Sequence, residues 1–208
     1  YGVMYKYPII VFEGIEGSGK SFHIKYLENY LKKKKINYLK LREPGGSKNS
    51  EKIRKLILSK KSNFDKFTDL LLYISARNEN YHSIIKNNYK KKIILIDRFT
   101  DSTIAYQHYG MGISKNIIVN LNKIVLKNIK PNFTFLNIVS MENLKYRLKK
   151  RSRNNRYDNF SISFYKKVQR GYMKLSNNKK NYMIIDSNKQ ISENKKIIIK
   201  KINSLLFI

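Results

Sequence analysis

Pro8-Ile9-Ile10-Val11-Phe12-Glu13-Gly14-Ile15-Glu16-Gly17-Ser18-Gly19-Lys20-Ser21 runs from an unbroken apolar stretch into a glycine-rich turn and on into an amphipathic segment. The apolar part, Pro8 to Phe12, reads as a strand buried on both faces, since a half-exposed strand would alternate. The turn fits G-x-x-x-x-G-K-[ST]. In that pattern the backbone N–H groups of Gly14, Ile15, Glu16, Gly17, Ser18 and Gly19 curl around phosphate oxygens, and the helix that follows points its positive end at them. Lys20 then reaches the β- and γ-phosphates of ATP, and the Ser21 hydroxyl is a ligand for Mg²⁺. Strand, loop and helix stand in the order this chemistry needs.

Further apolar runs repeat the theme at Ile36 to Leu41, Ile93 to Ile96, Phe133 to Val139 and Tyr182 to Ile185. Helix-like segments separate them: Ser21 to Lys34, Ser50 to Leu58, Thr68 to Lys86, Asn116 to Asn128, Met141 to Lys150, Ser161 to Ser176 and Ser192 to Leu206. Strands alternating with helices predict an α/β fold with five parallel strands and helices on both faces. With 208 residues and no visible linker or repeat, a single domain over 1–208 is expected.

Composition narrows the function. There is no Cys, which removes disulfides, thiolate metal sites and a Cys nucleophile. His23, His82 and His108 have no metal-ligand spacing. No apolar run approaches the roughly 20 residues of a membrane span and no signal peptide opens the chain, so a cytoplasmic protein with no membrane partner is expected. The formal net charge is +30, an electrostatic footprint that suits nucleic acid. The lysines are scattered in short runs, however, and the chain is rich in Asn, Ile and Tyr, with Ala76 and Ala105 its only alanines. That joint bias is what A+T-rich codons produce, and nucleic acid is not an expected partner.

Four later stretches lie where a parallel sheet places its binding edge. Arg42-Glu43-Pro44-Gly45-Gly46 follows the second strand. Leu71-Leu72-Tyr73-Ile74-Ser75-Ala76-Arg77 sets Tyr73 and Arg77 one helical turn apart, a pair that can stack a base and hold a phosphate. Asp97 closes the third apolar run, where a carboxylate can meet Mg²⁺, and leads into Arg98-Phe99-Thr100-Asp101-Ser102-Thr103-Ile104-Ala105-Tyr106-Gln107. Arg147, Arg151, Arg153 and Arg156 cluster in a polar, Asn-rich stretch with the look of a mobile cover over about 147–160.

In this order the motifs resemble the bacterial thymidylate kinases of the P-loop nucleoside monophosphate kinase superfamily, from about Ile9 to Ile185. REPGG and DR-x-x-x-S-x-x-AYQ are the most specific part of the match. The resemblance implies a P-loop NTPase fold with an Arg-rich lid, transfer of the ATP γ-phosphoryl group to dTMP with Mg²⁺, and a homodimer. It also implies roles. Glu16 approaches the acceptor sugar, and Pro44 belongs to the acceptor site. Tyr73 stacks on thymine, and Arg77 contacts the base or acceptor phosphate region. Arg98 holds the acceptor phosphate, with Asp97 beside the metal. Ser102 and Gln107 face the base, and Tyr106 sits by the deoxyribose. Arg147 stacks on adenine. With Glu16 in the phosphate loop, the lid supplies the catalytic arginine, Arg151 first, then Arg153 and Arg156. Three positions depart from the family pattern: Phe22 in place of Thr, Tyr73 in place of Phe, and Asn155 in place of Asp before Arg156.

Overall fold

The computed structural model describes residues 5–150 and 155–207. Its centre is β1 (Ile9–Glu13), buried at every position. β3 (Ile93–Asp97) pairs with it on one side and β4 (Phe133–Ile138) on the other, both parallel. β2 (Tyr38–Arg42) and β5 (Tyr182–Asp186) close the edges, giving the order β2-β3-β1-β4-β5. Strand order therefore reverses at β1, and the crevice such a reversal opens lies at its carboxyl end, above Glu13.

Side chains alternate along β1, so one strand supplies two cores. Ile10 and Phe12 join Phe133, Phe135 and the inner faces of α1 (Lys20–Lys33) and α9 (Ile191–Leu206). Ile9 and Val11 join Leu41, Ile94, Ile96, Ile85 and Leu126 on the opposite face. Phe12 stacks on Phe135 with ring centroids 5.0 Å apart.

Most boundaries match the sequence expectation within two residues, and the differences have local causes. β2 begins at Tyr38 rather than Ile36, because the Ile36 N–H bonds back to Leu31 O and Lys35 takes a left-handed φ of 56°, closing α1. The helix expected from Thr68 starts earlier, as α3 (Lys66–Asn80), where Asp65 accepts from the Phe67 N–H at 2.8 Å. It runs on through a π-turn (Tyr81–Ile85) into α4 (Lys86–Asn88). α2 (Lys48–Leu58), α6 (Lys115–Leu126), α7 (Met141–Lys149) and α8 (Ile162–Ser176) lie where periodicity puts them.

One helix is absent from the sequence reading. α5 (Thr100–Thr103) continues into a π-turn over Ile104–Gly110. Its residues are β-branched, polar and aromatic, poor in helix propensity. The wide turn lets Ile104, Ala105, Tyr106 and Gln107, four in succession, all be buried, which one face of an α-helix would not allow.

Truncating a fully buried side chain of the central strand tests this layout. Phe12→Ala is expected to lower unfolding free energy by about 3–5 kcal/mol, read from urea midpoints at unchanged slope.

Candidate active site

The carboxyl ends of the five strands carry Glu13, Arg42, Asp97, Ile138 and Asp186 on one edge. Above them opens a cleft of about 650 Å³, lined from Glu16 through Asn194, a size suited to small-molecule ligands.

The phosphate loop forms one wall. Gly14, at φ 137°, could bear no Cβ, which would lie 2.2 Å from Asn137 O. Gly19 is left-handed, at φ 86°, and no side chain caps α1, so its first N–H groups are free for an anion. Lys20 is buried, with Nζ donating to Gly14 O at 2.9 Å and Ile15 O at 3.0 Å. Burial, then Arg98, pull its pKa down to about 8; phosphate oxygens replacing the carbonyls would restore the proton's hold. Ser21 is exposed at the cleft.

The opposite wall is built around Arg98, at φ 67° with its N–H on Phe12 O at 3.0 Å. Its guanidinium donates to Glu16 at 2.8 Å and Tyr172 OH at 3.2 Å, and lies 5.3 Å from the Tyr106 ring centroid. The Tyr106 hydroxyl donates to the other Glu16 oxygen. Burial opposes ionisation of Glu16, but Arg98, Lys20 and Tyr106 outweigh it and hold the carboxyl below its usual range.

Beneath this pair lies Glu13, 1% exposed. It accepts from Phe99 N at 2.9 Å, Ser102 N at 3.2 Å and Ser102 Oγ at 2.5 Å. These are the N-terminal donors of α5, whose own residues provide no cap. Sequence reasoning missed Glu13 because its partners lie nearly ninety residues away.

Several expected residues hold different partners than their motif roles suggest. Arg77, 2% exposed, donates to Glu43 at 2.6 Å, Thr103 at 2.8 Å, Asn122 at 2.6 Å and Phe99 O at 3.0 Å. One N–H of the five remains for a ligand. Ser102 is engaged by Glu13 and Tyr172. Arg156 pairs with Asp69 and does not line the cleft. Arg151 and Arg153 lie outside the described residues. Pro44, Tyr73, Tyr106 and Gln107 line the cleft, and the buried Gln107 Nε2 has no hydrogen-bond partner among the described residues. The extra Tyr73 hydroxyl shares a hydrogen bond with Tyr157. Arg147 donates to Gly17 O at 2.7 Å and Ser187 O at 2.8 Å. Arg54, which sequence reasoning passed over, lines the cleft and donates to Pro44 O at 2.6 Å. An isolated Arg among helix lysines carries no local signal.

No cluster of three or more acidic, His or Cys ligands occurs among the described residues. Mg²⁺ does not need one, since it binds through one or two side chains plus substrate phosphates and water. Ser21 and Asp97 fit that role, and the buried Asp97 Oδ1 has no hydrogen-bond partner.

A phosphate loop and an Arg-built anion pocket sharing one cleft define a P-loop nucleotide kinase. The family model for thymidylate kinase matches residues 12–198. A thymidylate kinase from Sulfurihydrogenibium sp. (strain YO3AOP1) is 42% identical over 91% of this chain and 94% of its own. One from Thermoanaerobacter sp. (strain X514) is 37% identical over 97% and 100%. The crystal structure of thymidylate kinase from Ehrlichia chaffeensis superposes with TM-score 0.77 at 32% identity, covering 96% of this chain and 99% of that one. The chain belongs to the thymidylate kinase family.

Burial, then Asp101, push the Glu13 carboxyl up from 4.5 to about 7. The folded protein thus keeps a proton that the unfolded chain releases, and this contribution to stability declines as pH rises from 4.5 through about 7. Glu13→Gln should abolish that decline. Urea titrations at pH 5 and pH 8 are expected to show the wild type losing about 2 kcal/mol more than the variant.

Proposed function

We propose that the protein transfers the γ-phosphoryl group of ATP to dTMP, giving dTDP and ADP, and that it works as a cytoplasmic homodimer. The observation that carries the reading is the shared cleft: Lys20 and the open α1 terminus on one wall, and Arg98, Tyr73 and Gln107 on the other.

The acceptor phosphate has a second pKa of about 6, so near neutral pH its oxygen attacks without a general base. Positioning and charge neutralisation remain for the protein. Lys20 and the loop N–H groups hold the donor phosphates. Ser21 and Asp97 would hold Mg²⁺, which would supply further neutralisation of the phosphate charge. Arg98 trades part of its Glu16 pairing for the acceptor phosphate, and Glu16 is then free to accept from the sugar hydroxyl. Tyr73 stacks on the pyrimidine while Gln107 meets its polar edge. Tyr106, held by Glu16, crowds the position of a 2′-hydroxyl. The edges of Arg147 bind two carbonyls, which leaves its plane for adenine. The lid, about 147–160, contributes Arg151 and Arg153 to the transferring group.

For the dimer, support comes from apolar side chains exposed on α3 and on the two helices packed against it: Phe67 and Leu71 on α3, Leu56 on α2, Ile117 and Ile124 on α6.

A coupled ADP-release assay across dTMP, dUMP, dCMP, dGMP, AMP and thymidine tests the reaction; dTMP is expected to lead, and a preference for thymidine overturns the acceptor assignment. Arg98→Ala should lower kcat/KM for dTMP by about 100-fold or more, the usual scale for truncating a buried charge partner, with ATP affinity less affected. Light scattering should report twice the monomer mass for the wild type, and monomer for Leu71→Glu with Ile124→Glu.

A further inference from the structure

Asp69 lies on α3, outside every motif, 2% exposed. It accepts from an Arg156 guanidinium N–H and from the Tyr157 hydroxyl at 3.1 Å. Both partners belong to the short 3₁₀ turn Arg156–Asn159 that follows the lid arginines. A carboxylate this buried is costly unless paired, so the two donors and the acid stabilise one another only while the turn rests on α3.

What the pairing holds down is the Tyr157 ring. That ring is 2% exposed and lines the cleft. It meets Tyr73 edge to face, centroids 6.4 Å apart, and Tyr106 at 5.7 Å. Its carbonyl accepts from the Tyr165 hydroxyl, and its N–H donates to Asn155 at 2.8 Å. Every polar group of Tyr157 therefore has a partner, and its ring braces both aromatics that the acceptor reading assigns to base and sugar.

We propose that Asp69 is a positioning residue for the nucleoside half of the acceptor site: by pinning Arg156 and Tyr157 it sets the aromatic wall formed by Tyr157, Tyr73 and Tyr106. This rests on the dTMP kinase reading and assigns Arg156 to holding the wall rather than to the transferring phosphoryl group. It follows that the pairing governs acceptor affinity and leaves the donor site alone.

Calorimetric binding of dTMP and steady-state kinetics on the full chain test it. Asp69→Asn, which removes the charge and keeps an acceptor, should raise Kd and KM for dTMP about tenfold, the scale of one charge-assisted hydrogen bond. KM for ATP and kcat should stay within about twofold. Tyr157→Phe should shift dTMP affinity in the same direction by less. The double variant should fall short of the product of the two effects, since residues acting through one network are not additive. Folded Asp69→Asn protein with wild-type dTMP affinity, or with ATP and dTMP constants raised in parallel, overturns the assignment. If Asp69→Asn does not fold, Tyr157→Phe and Arg156→Lys give the same comparison, and unchanged dTMP affinity in both overturns it. Wild-type protein that fails to bind dTMP at all refutes the kinase reading instead.

Discussion

A single carboxylate joins the two halves of this cleft. Glu13 ends the strand that launches the phosphate loop, and the same side chain caps α5, which runs on into the π-turn that carries Tyr106 and Gln107. Helix N-termini need acceptors for their first N–H groups, and α5 has none of its own. The cap is therefore tertiary: α5 can begin only where β1 ends. One buried side chain, held by two backbone N–H groups, thereby fixes the spacing between the phosphate loop and the segment that begins at Arg98. Arg98, one residue ahead of the capped turn, takes its left-handed backbone from the same constraint, with its N–H on Phe12 O.

The parallel sheet makes such a junction available. Because β1 pairs with β3 on one side and β4 on the other, its carboxyl end faces the loops of both. Phe12 lies level with Asp97 and with Phe135, so the residues just beyond these strands emerge at one height. A half-buried strand at this position would tolerate polar side chains; a central one requires the run Ile9 to Phe12, whose alternate side chains fill both cores. Core packing and site geometry thus depend on the same five residues.

That dependence explains what could be read from the chain alone. Local signals were legible: the apolar strands, the glycines and Lys20 of the loop, and the ordered motifs that placed Tyr73, Arg98, Tyr106 and Gln107 on one edge. Illegible were features whose physical cause is distant in sequence. α5 has weak propensity and borrows its cap from Glu13. Asp69 reads as an ordinary first-turn acid until Arg156 and Tyr157 reach it. Arg77 sits beside Tyr73 in the helical pattern, yet Glu43, Thr103, Asn122 and Phe99 claim four of its donors. Spacing shows that a side chain can reach a site; only the fold shows which competing partner has it.

The arginines sort themselves by this competition. Arg77 is paired inside the protein, where exchanging Glu43 or Asn122 for a substrate would leave a buried acceptor unsatisfied, a loss of about 1–3 kcal/mol or more. Arg98 differs, because its carboxylate partner stands in the cleft beside Lys20 and has an alternative donor in Tyr106. A phosphate can take over its N–H groups without orphaning Glu16. Arg147 binds carbonyls of two loops and so couples the phosphate loop to the β5–α9 connection without using a charged partner. Arginines paired inside the protein give the cleft its shape, whereas Arg98 pairs with a carboxylate that keeps a second donor in Tyr106.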